Sequence, residues 1–486
     1  MNPVLLQMMA NMGQGGGGQG SMGLDVAREL NKALTAGYGT DVAALSGGGA
    51  LRPQSLDGTM KSTIQANQHL RLFNQLQKNK AIATVDEWME QSGVGGFPGS
   101  SATGEAGTIR QSTGVYARRV GMVKYLMDRR SVTFVQSLQN NLIDSIALEQ
   151  ANGAIKLLSD AEVFCFEGDA SVVPTEFDGI EAQINGLGSN LHVMDMQAQS
   201  LVANGAITFF NAAATIAGFG NFGRASHVFW SPKTQADMDA VLTPSYRVPL
   251  PGVGNGGIDL GAPVTGIRTS QGDIATVSDV FIREEDQQMP FEVGYATFAA
   301  ANTYTPVSAV PALPAANASS AFGAAHAGNY YYLVTGTSET GESTGIISAQ
   351  VTVAAGDAVV LTITASASGA ETGYVIYRSR KNGTNAVTDF RRIVRVPKSG
   401  ATTVYTDLNR DIPGTTKAYL LSMSSGADAI SWQQFLPMTK FPLYPTATAE
   451  IPWAQLLFGY LRLAKRRQHV VIKNILPNSA TWLPFG

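Results

Sequence analysis

The stretch from Val132 to Asp169, with the ribbon leading into it, limits most strongly what this chain can fold into. Ile143, Ile146, Ala147, Ala151, Ala154, Ile155 and Leu158 recur at helical spacing. That places them on one stripe of an α-helix over about Leu138–Asp160. Asn141, Asp144, Glu149, Asn152 and Lys156 take the other side. Upstream, Tyr116–Met127 and Ser131–Gln136 read as extended runs separated by a charged turn at Asp128-Arg129-Arg130. Downstream, Ala161–Phe166 reads as a short apolar strand. A polar ribbon, a long helix and a buried strand suit a subunit whose arms reach onto its neighbours better than an enzyme domain.

Charge points the same way. Only 15% of the 486 residues are charged, against roughly 25% in ordinary soluble domains. A surface poor in charge is best kept in solution by being covered, so a large assembled interface is expected. The net charge of −3 and pI near 6.0 argue against a dedicated nucleic-acid binder. Cys165, the single cysteine, excludes an intrachain disulfide and reads as a small buried hydrophobe. No basic residue precedes Arg28, so no secretory signal is expected. Leu201–Ala217, the most apolar window, is interrupted by Asn204, Thr208, Asn211 and Thr215, and no membrane span is expected.

Residues 1–58 are methionine-rich and then glycine-rich, with a short helical piece near Leu24–Leu34, and read as an arm. Residues 59–136 read as a helix (Met60, Ile64, Phe73, Leu76) followed by an extended loop. The tip of that loop is the Gly/Ser/Thr-rich run Ser92–Thr113. In residues 137–302 the long helix is followed by helical patterns at Phe177–Ile184 and Gly205–Ala217, the latter ended by Gly218 and Gly220. His227–Trp230 then reads as a strand, with Ser231-Pro232 opening a helix through Val241. Val264–Thr269 and Ile274–Ile282 read as a strand pair. Residues 303–425 read as an insertion, with a Pro/Ala-rich linker over Tyr304–Ala325 and then short alternating strands from Tyr330 to about Tyr419. That spacing indicates a β-sandwich. In residues 426–486 mixed character returns, with Trp432, Phe435, Trp453–Leu463 and a strand at His469–Ile475.

No motif for chemistry survives its context. Gly218–Gly223 fits G-x-G-x-x-G but follows a helix and precedes a strand, the reverse of a dinucleotide site. Gly341-Glu342-Ser343-Thr344-Gly345 fits the nucleophile elbow, yet Ile346–Val353 reads as a strand where a helix is required. His69, His192, His227, His326 and His469 lack zinc spacing. Glu284-Glu285-Asp286 reads as a solvated face. No catalytic residue, cofactor or metal is expected. Arginines cluster at Arg118-Arg119, Arg129-Arg130 and Arg391-Arg392, with Arg462, Lys465, Arg466 and Arg467 near the end. The bland reading is surface charge. The sharper one is intersubunit ion pairs, with Glu105, Arg110, Arg118, Arg119, Asp128, Arg129, Arg130 and Glu149 as candidate contacts.

The order of these elements resembles the major capsid proteins of tailed bacteriophages, whose fold is shared with herpesviruses. Lys80–Gln91 with Asp86-Glu87-Trp88, the glycine-rich tip, the return strands through Arg130 and the helix to Asp160 are similar to the family's extended loop and spine helix. Ser231-Pro232-Lys233 lies in a strand–helix pair similar to its central region, and Trp432-Gln433-Gln434-Phe435-Leu436-Pro437 opens a segment like its return to the peripheral domain. Tyr330-Tyr331-Tyr332, Gly341-Glu342-Ser343 and Gly373–Arg378 resemble immunoglobulin-like or fibronectin type-III modules, although the Gly-Glu-Ser turn, late in such modules, comes early here.

The resemblance implies an α+β capsid fold: N-terminal arm, extended loop, spine helix, peripheral and axial domains, and an inserted all-β sandwich. It further implies homo-pentamers and homo-hexamers tiling an icosahedral shell around double-stranded DNA, with nonspecific DNA contact. A separate scaffolding protein, a portal and decoration proteins would be partners, and the insert would project freely. Assembly would occur in the host cytoplasm, with the virion capsid as destination. Two other readings remain open: a tail or fibre protein binding carbohydrate through the sandwich, and a glycoside hydrolase with an accessory sandwich.

Overall fold

A computed structural model describes residues 69–138, 144–188, 190–241, 264–284, 304–423, 429–445 and 448–486. The expected arm, the helical piece at 24–34, Met60, Ile64, Asn141, Ile143, Glu285 and Asp286 lie outside these residues.

The long helix runs Ser145–Glu167, and Asp144 caps it by accepting from the backbone N–H of Ile146 at 2.9 Å. It continues through Ala161–Phe166, which is therefore not a strand. A short apolar run reads alike in a buried strand and a buried helix turn, and here Ala161, Cys165 and Phe166 enter the main core at helical spacing. A separate short helix, Phe134–Leu138, precedes it.

The helix also packs by its unexpected side. Ala147 and Ala151 of the predicted stripe are exposed, while Gly153 and Leu157 are buried. Its partner is a four-stranded sheet in the order Lys78–Lys80, Ile430–Pro442, Glu450–Leu463, Lys124–Thr133. A Cβ at Gly153 would meet Gln455 Oε1 at 2.5 Å, so glycine is what lets helix and sheet approach. Asp128-Arg129-Arg130 is no turn: all three sit inside the strand Lys124–Thr133, in register with Gln455, Ala454 and Trp453. Phe73, Phe166, Phe177, Trp432, Tyr460 and Leu461 fill the core beneath.

A six-stranded sheet forms the second layer, ordered Val193–Gln199, Val470–Ile475, Thr416–Leu421, His227–Trp230, Gly272–Ser278, Gly266–Thr269. Helix Leu201–Ala217 covers it through Phe209, Ala212 and Ile216, which pack with Trp230 and Ile472. The expected strand His227–Trp230 and helix Pro232–Val241 are present, as is the pair Gly266–Thr269 and Gly272–Ser278. Thr416–Leu421, which reads in sequence as the end of the insertion, belongs to this sheet.

In sequence, a β-sandwich lies between the strands Gly272–Ser278 and Thr416–Leu421 of this sheet. One sheet holds Ser308–Pro311 and Ala315–Ala316 against Asp357–Thr364, then Thr402–Asp407. The Pro/Ala-rich segment is thus partly strand rather than linker, its prolines tolerated at an edge. The other sheet sets Tyr332–Ser338 beside Gly373–Ser379 and Phe390–Pro397. Val334, Leu361, Ile363, Tyr374 and Ile376 pack between the sheets. The sandwich does not project freely. Arg392 and Arg395 reach Glu167 and Glu176 of the body, each at 2.9 Å. His326 also stacks on Phe485 at 3.9 Å.

Candidate assembly surface

Val85–Gly93 and Val115–Met122 pair antiparallel as a two-stranded hairpin beyond the edge of the four-stranded sheet. Alternation along a strand gives it two faces. Asp86, Trp88, Glu90, Arg119 and Gly121 point inward; Val85, Glu87, Met89, Arg118, Val120 and Met122 point outward.

The inner face is fastened by polar contacts. Tyr460 Oη donates to Asp86 at 2.5 Å, and Arg462 lies 3.5 Å from the same carboxylate. Glu90 takes Arg119 at 2.9 Å and Arg466 at 3.3 Å. Burial and the neighbouring Asp86 carboxylate push the Tyr460 hydroxyl well above its ordinary pKa, so it stays a donor. Gly121 is buried under the Tyr460 ring, where any Cβ would overlap it.

The outer face is left exposed among the described residues. Met89 is 75% exposed and Val120 53%, and Val85, Tyr116 and Met122 are exposed beside them. Tyr125 and Met127 of the next strand, and Phe134, Val135 and Leu138 after it, are exposed as well. Scattered exposed hydrophobics are ordinary, but a strand face that turns Val85, Met89, Val120 and Met122 outward together suits a surface that a partner covers. The tip between the strands is exposed throughout residues 101–113, with Ile109 at 90%.

Most of the candidate contact residues are already paired within the chain. Arg118 pairs with Glu87 across the hairpin. Arg129 pairs with Glu450 at 2.9 Å. Arg130 bridges Asp128 at 2.7 Å and Glu149 at 3.2 Å, and Lys156 joins Asp128 at 2.9 Å. These bonds tie ribbon to helix, which is why the helix docks by its polar side. Glu105 and Arg110 are exposed at the tip, and neither pairs with a described residue. Reading the sequence missed Tyr460 and Glu450, whose partners lie hundreds of positions away, and Met89 and Val120, for which the alternation around Trp88 was an available signal.

Other features have structural roles. Gly218 closes helix Leu201–Ala217 and Gly220 turns at φ +89°. Ser343 is buried, accepts from Gly336 N–H at 2.9 Å and donates to Thr344 O at 2.8 Å. Among the described residues no helix is long and apolar enough to cross a membrane, and no group of His, Cys, Asp and Glu is arranged to hold a metal ion.

No protein-family profile matches the chain. It is 24% identical over 464 residues to the major capsid proteins of Staphylococcus phages S25-3 and K, covering 92% of this chain and 95% of theirs. A putative major capsid protein of Enterococcus phage phiEF24C is 23% identical over 216 residues, covering 44% of this chain and 46% of that one. Among solved structures, the capsid of an empty GTA particle computed with C5 symmetry aligns over 90% of this chain and 99% of its own at TM-score 0.46 and 9% identity. The capsid of Myoviridae phage XM1 aligns over 86% and 96% at TM-score 0.40 and 10% identity.

Proposed function

We infer that this chain is a major capsid protein of a tailed bacteriophage, a structural subunit that assembles with copies of itself into an icosahedral shell enclosing double-stranded DNA. The carrying observation is the alignment with phage major capsid proteins through nearly the full length of both chains. An alignment covering 92% of the chain cannot leave out the sandwich, so the tail-fibre and glycosidase readings lose the feature that prompted them.

On this reading residues 1–58 are an arm, 59–136 a helix and the extended loop, 137–302 the spine helix with peripheral and axial regions, and 426–486 the return to them. The hairpin's apolar outer face lies on a neighbouring subunit within pentamers and hexamers. Glu105 and Arg110 make ion pairs there, being the candidates with no described partner of their own. The sandwich within 303–425 is an immunoglobulin-like module of fibronectin type-III kind with rotated strand order. In support, Tyr332–Ser338 precedes every other strand of its own sheet in the chain yet sits beside Gly373–Ser379, where a late strand of such a module belongs. Its sheet facing away from the body is available to decoration proteins. A separate scaffolding protein and a portal complete assembly in the host cytoplasm, and exposed Lys465 and Arg467 are available for nonspecific contact with DNA.

The test is electron microscopy and light scattering of the full chain co-expressed with its scaffold. Rings of five or six, tubes or closed shells are expected. Val120→Asp, placing a charge in the outer face, should leave a folded protein that no longer forms them. A wild-type chain that stays monomeric or trimeric under these conditions would sink the reading.

A further inference from the structure

Glu162 lies in the long helix with its side chain wholly buried. Its two carboxyl oxygens accept from the backbone N–H groups of Leu72 at 2.6 Å and Phe73 at 2.7 Å, at the start of the short helix Leu72–Gln75. Asp279, also wholly buried, follows the strand Gly272–Ser278; its Oδ1 accepts from Phe281 N–H at 2.9 Å, while its Oδ2 is buried with no donor among the described residues and the carboxyl lies within electrostatic reach of Glu162. Two carboxylates cannot both be ionised in contact inside a core, because each loses its water and repels the other. A carboxyl–carboxylate hydrogen bond removes both costs with one proton.

We propose that Glu162 and Asp279 share one proton and form a latch that holds the segment Leu70–Leu76 to the body, and that loss of this proton to solvent opens it. The geometry carries the idea: one end of the pair grips two backbone amides of the segment, and the other is fixed to the loop 279–282. Leu72, Phe73 and Leu76 add apolar packing, and the strand Lys78–Lys80 that follows is paired in the four-stranded sheet. Burial, then the Asp279 charge, raises the Glu162 pKa, and burial raises that of Asp279. The other ionisable groups around the pair do not replace the proton. Arg71 bears on Asp279 but is itself exposed. The Cys165 thiol, one helix turn from Glu162, is pushed up by burial and by both carboxyls. Arg283 is turned to Glu167 at 3.3 Å, and Lys233 to Glu284 at 3.4 Å. This device is independent of the assembly reading.

The sign follows from linkage. A carboxyl whose pKa is raised in the closed state binds more protons closed than open, so closure weakens as pH rises above the ordinary carboxylate range. Hydrogen exchange of the full-length chain at Leu72 and Phe73 should therefore show protection falling by up to about tenfold per pH unit, after correction for intrinsic exchange. Amides of the long helix serve as the internal reference. Asp279→Asn, which offers an amide N–H in place of the proton, should remove that slope, as should Glu162→Gln. A slope absent in the wild type, or retained undiminished in both variants, would overturn the latch. Infrared spectroscopy of the wild type alone gives a second reading should the variants fail to fold. A buried protonated-carboxyl band is expected at neutral pH, and its absence would also overturn the proposal.

Discussion

The hairpin Val85–Met122 and the sandwich from Ser308 to Asp407 are both antiparallel β-structure, but they hold together in opposite ways. The sandwich closes two sheets over its own apolar core and then buries polar groups that are well partnered. Arg378, with no exposed surface, bonds to Asp407 and Asn409, each at 2.6 Å, and lies beside the rings of Phe322 and Tyr330. The hairpin has no second layer. One face is fastened by Asp86 and Glu90 to three residues of the body, and the other offers Met89 and Val120 to solvent. An element built like the sandwich is complete within one chain. One built like the hairpin is stable only where something covers it.

The sharpest way to separate the two is Gly121→Leu. A side chain driven into the Tyr460 ring should lift the base of the hairpin and abolish shell formation, while calorimetry still shows the sandwich transition intact. Normal shells from this variant would mean that the hairpin's seat on the body does not matter. Next in size is Arg378→Met, which strands Asp407 in the sandwich core at a cost of about 3–5 kcal/mol. Urea denaturation should show the sandwich melting early, with hairpin amides unaffected.

A third test uses pH. Burial raises the pKa of Glu371, but hydrogen bonds from the Ser366 hydroxyl and amide and from the Tyr374 hydroxyl outweigh it, bringing the carboxyl down to about 2. A depressed carboxyl stabilises the fold above its unfolded pKa, and that contribution disappears as pH falls through about 2. Glu371→Gln should therefore cost about 1–3 kcal/mol at neutral pH and flatten the acid limb of the stability curve. Tyr460→Phe, removing one bond to Asp86, should cost about 1–2 kcal/mol and appear as faster amide exchange confined to the hairpin. Smallest of all, Met89→Ser should change stability by no more than about 0.5 kcal/mol while measurably slowing assembly, since its side chain meets only solvent in the isolated chain.

What could be read in advance follows the same division. Local patterns carried the loop tip, the helix Gly205–Ala217 with its glycine stop, which begins earlier, at Leu201, in the structure, and the strand–helix pair at His227–Val241. Alternation revealed the sandwich strands. The failures are places where tertiary partners override local cues. Asp128, Arg129 and Arg130 look like a turn by composition, but as strand residues they send Asp128 and Arg130 to the helix and Arg129 to Glu450. The helix stripe was placed correctly by period and wrongly by side, because Glu149 and Lys156 found charged partners on the ribbon. Of the candidate contacts, the residue types were visible; that most are satisfied inside the chain depended on distant pairings that spacing does not encode.

The pairing of Lys78–Lys80 with Trp432–Gln434 has a consequence for how the molecule comes into being. Its two strands stand at opposite ends of the described chain, so the four-stranded sheet cannot close until nearly all of the polypeptide has left the ribosome. Every strand of the sandwich is synthesised before that point, within one continuous stretch. Loop closure over so long a separation is slow relative to local pairing. The sandwich is thus set to fold first, while the strand Lys124–Thr133 waits for its sheet partner until residues 430–463 arrive.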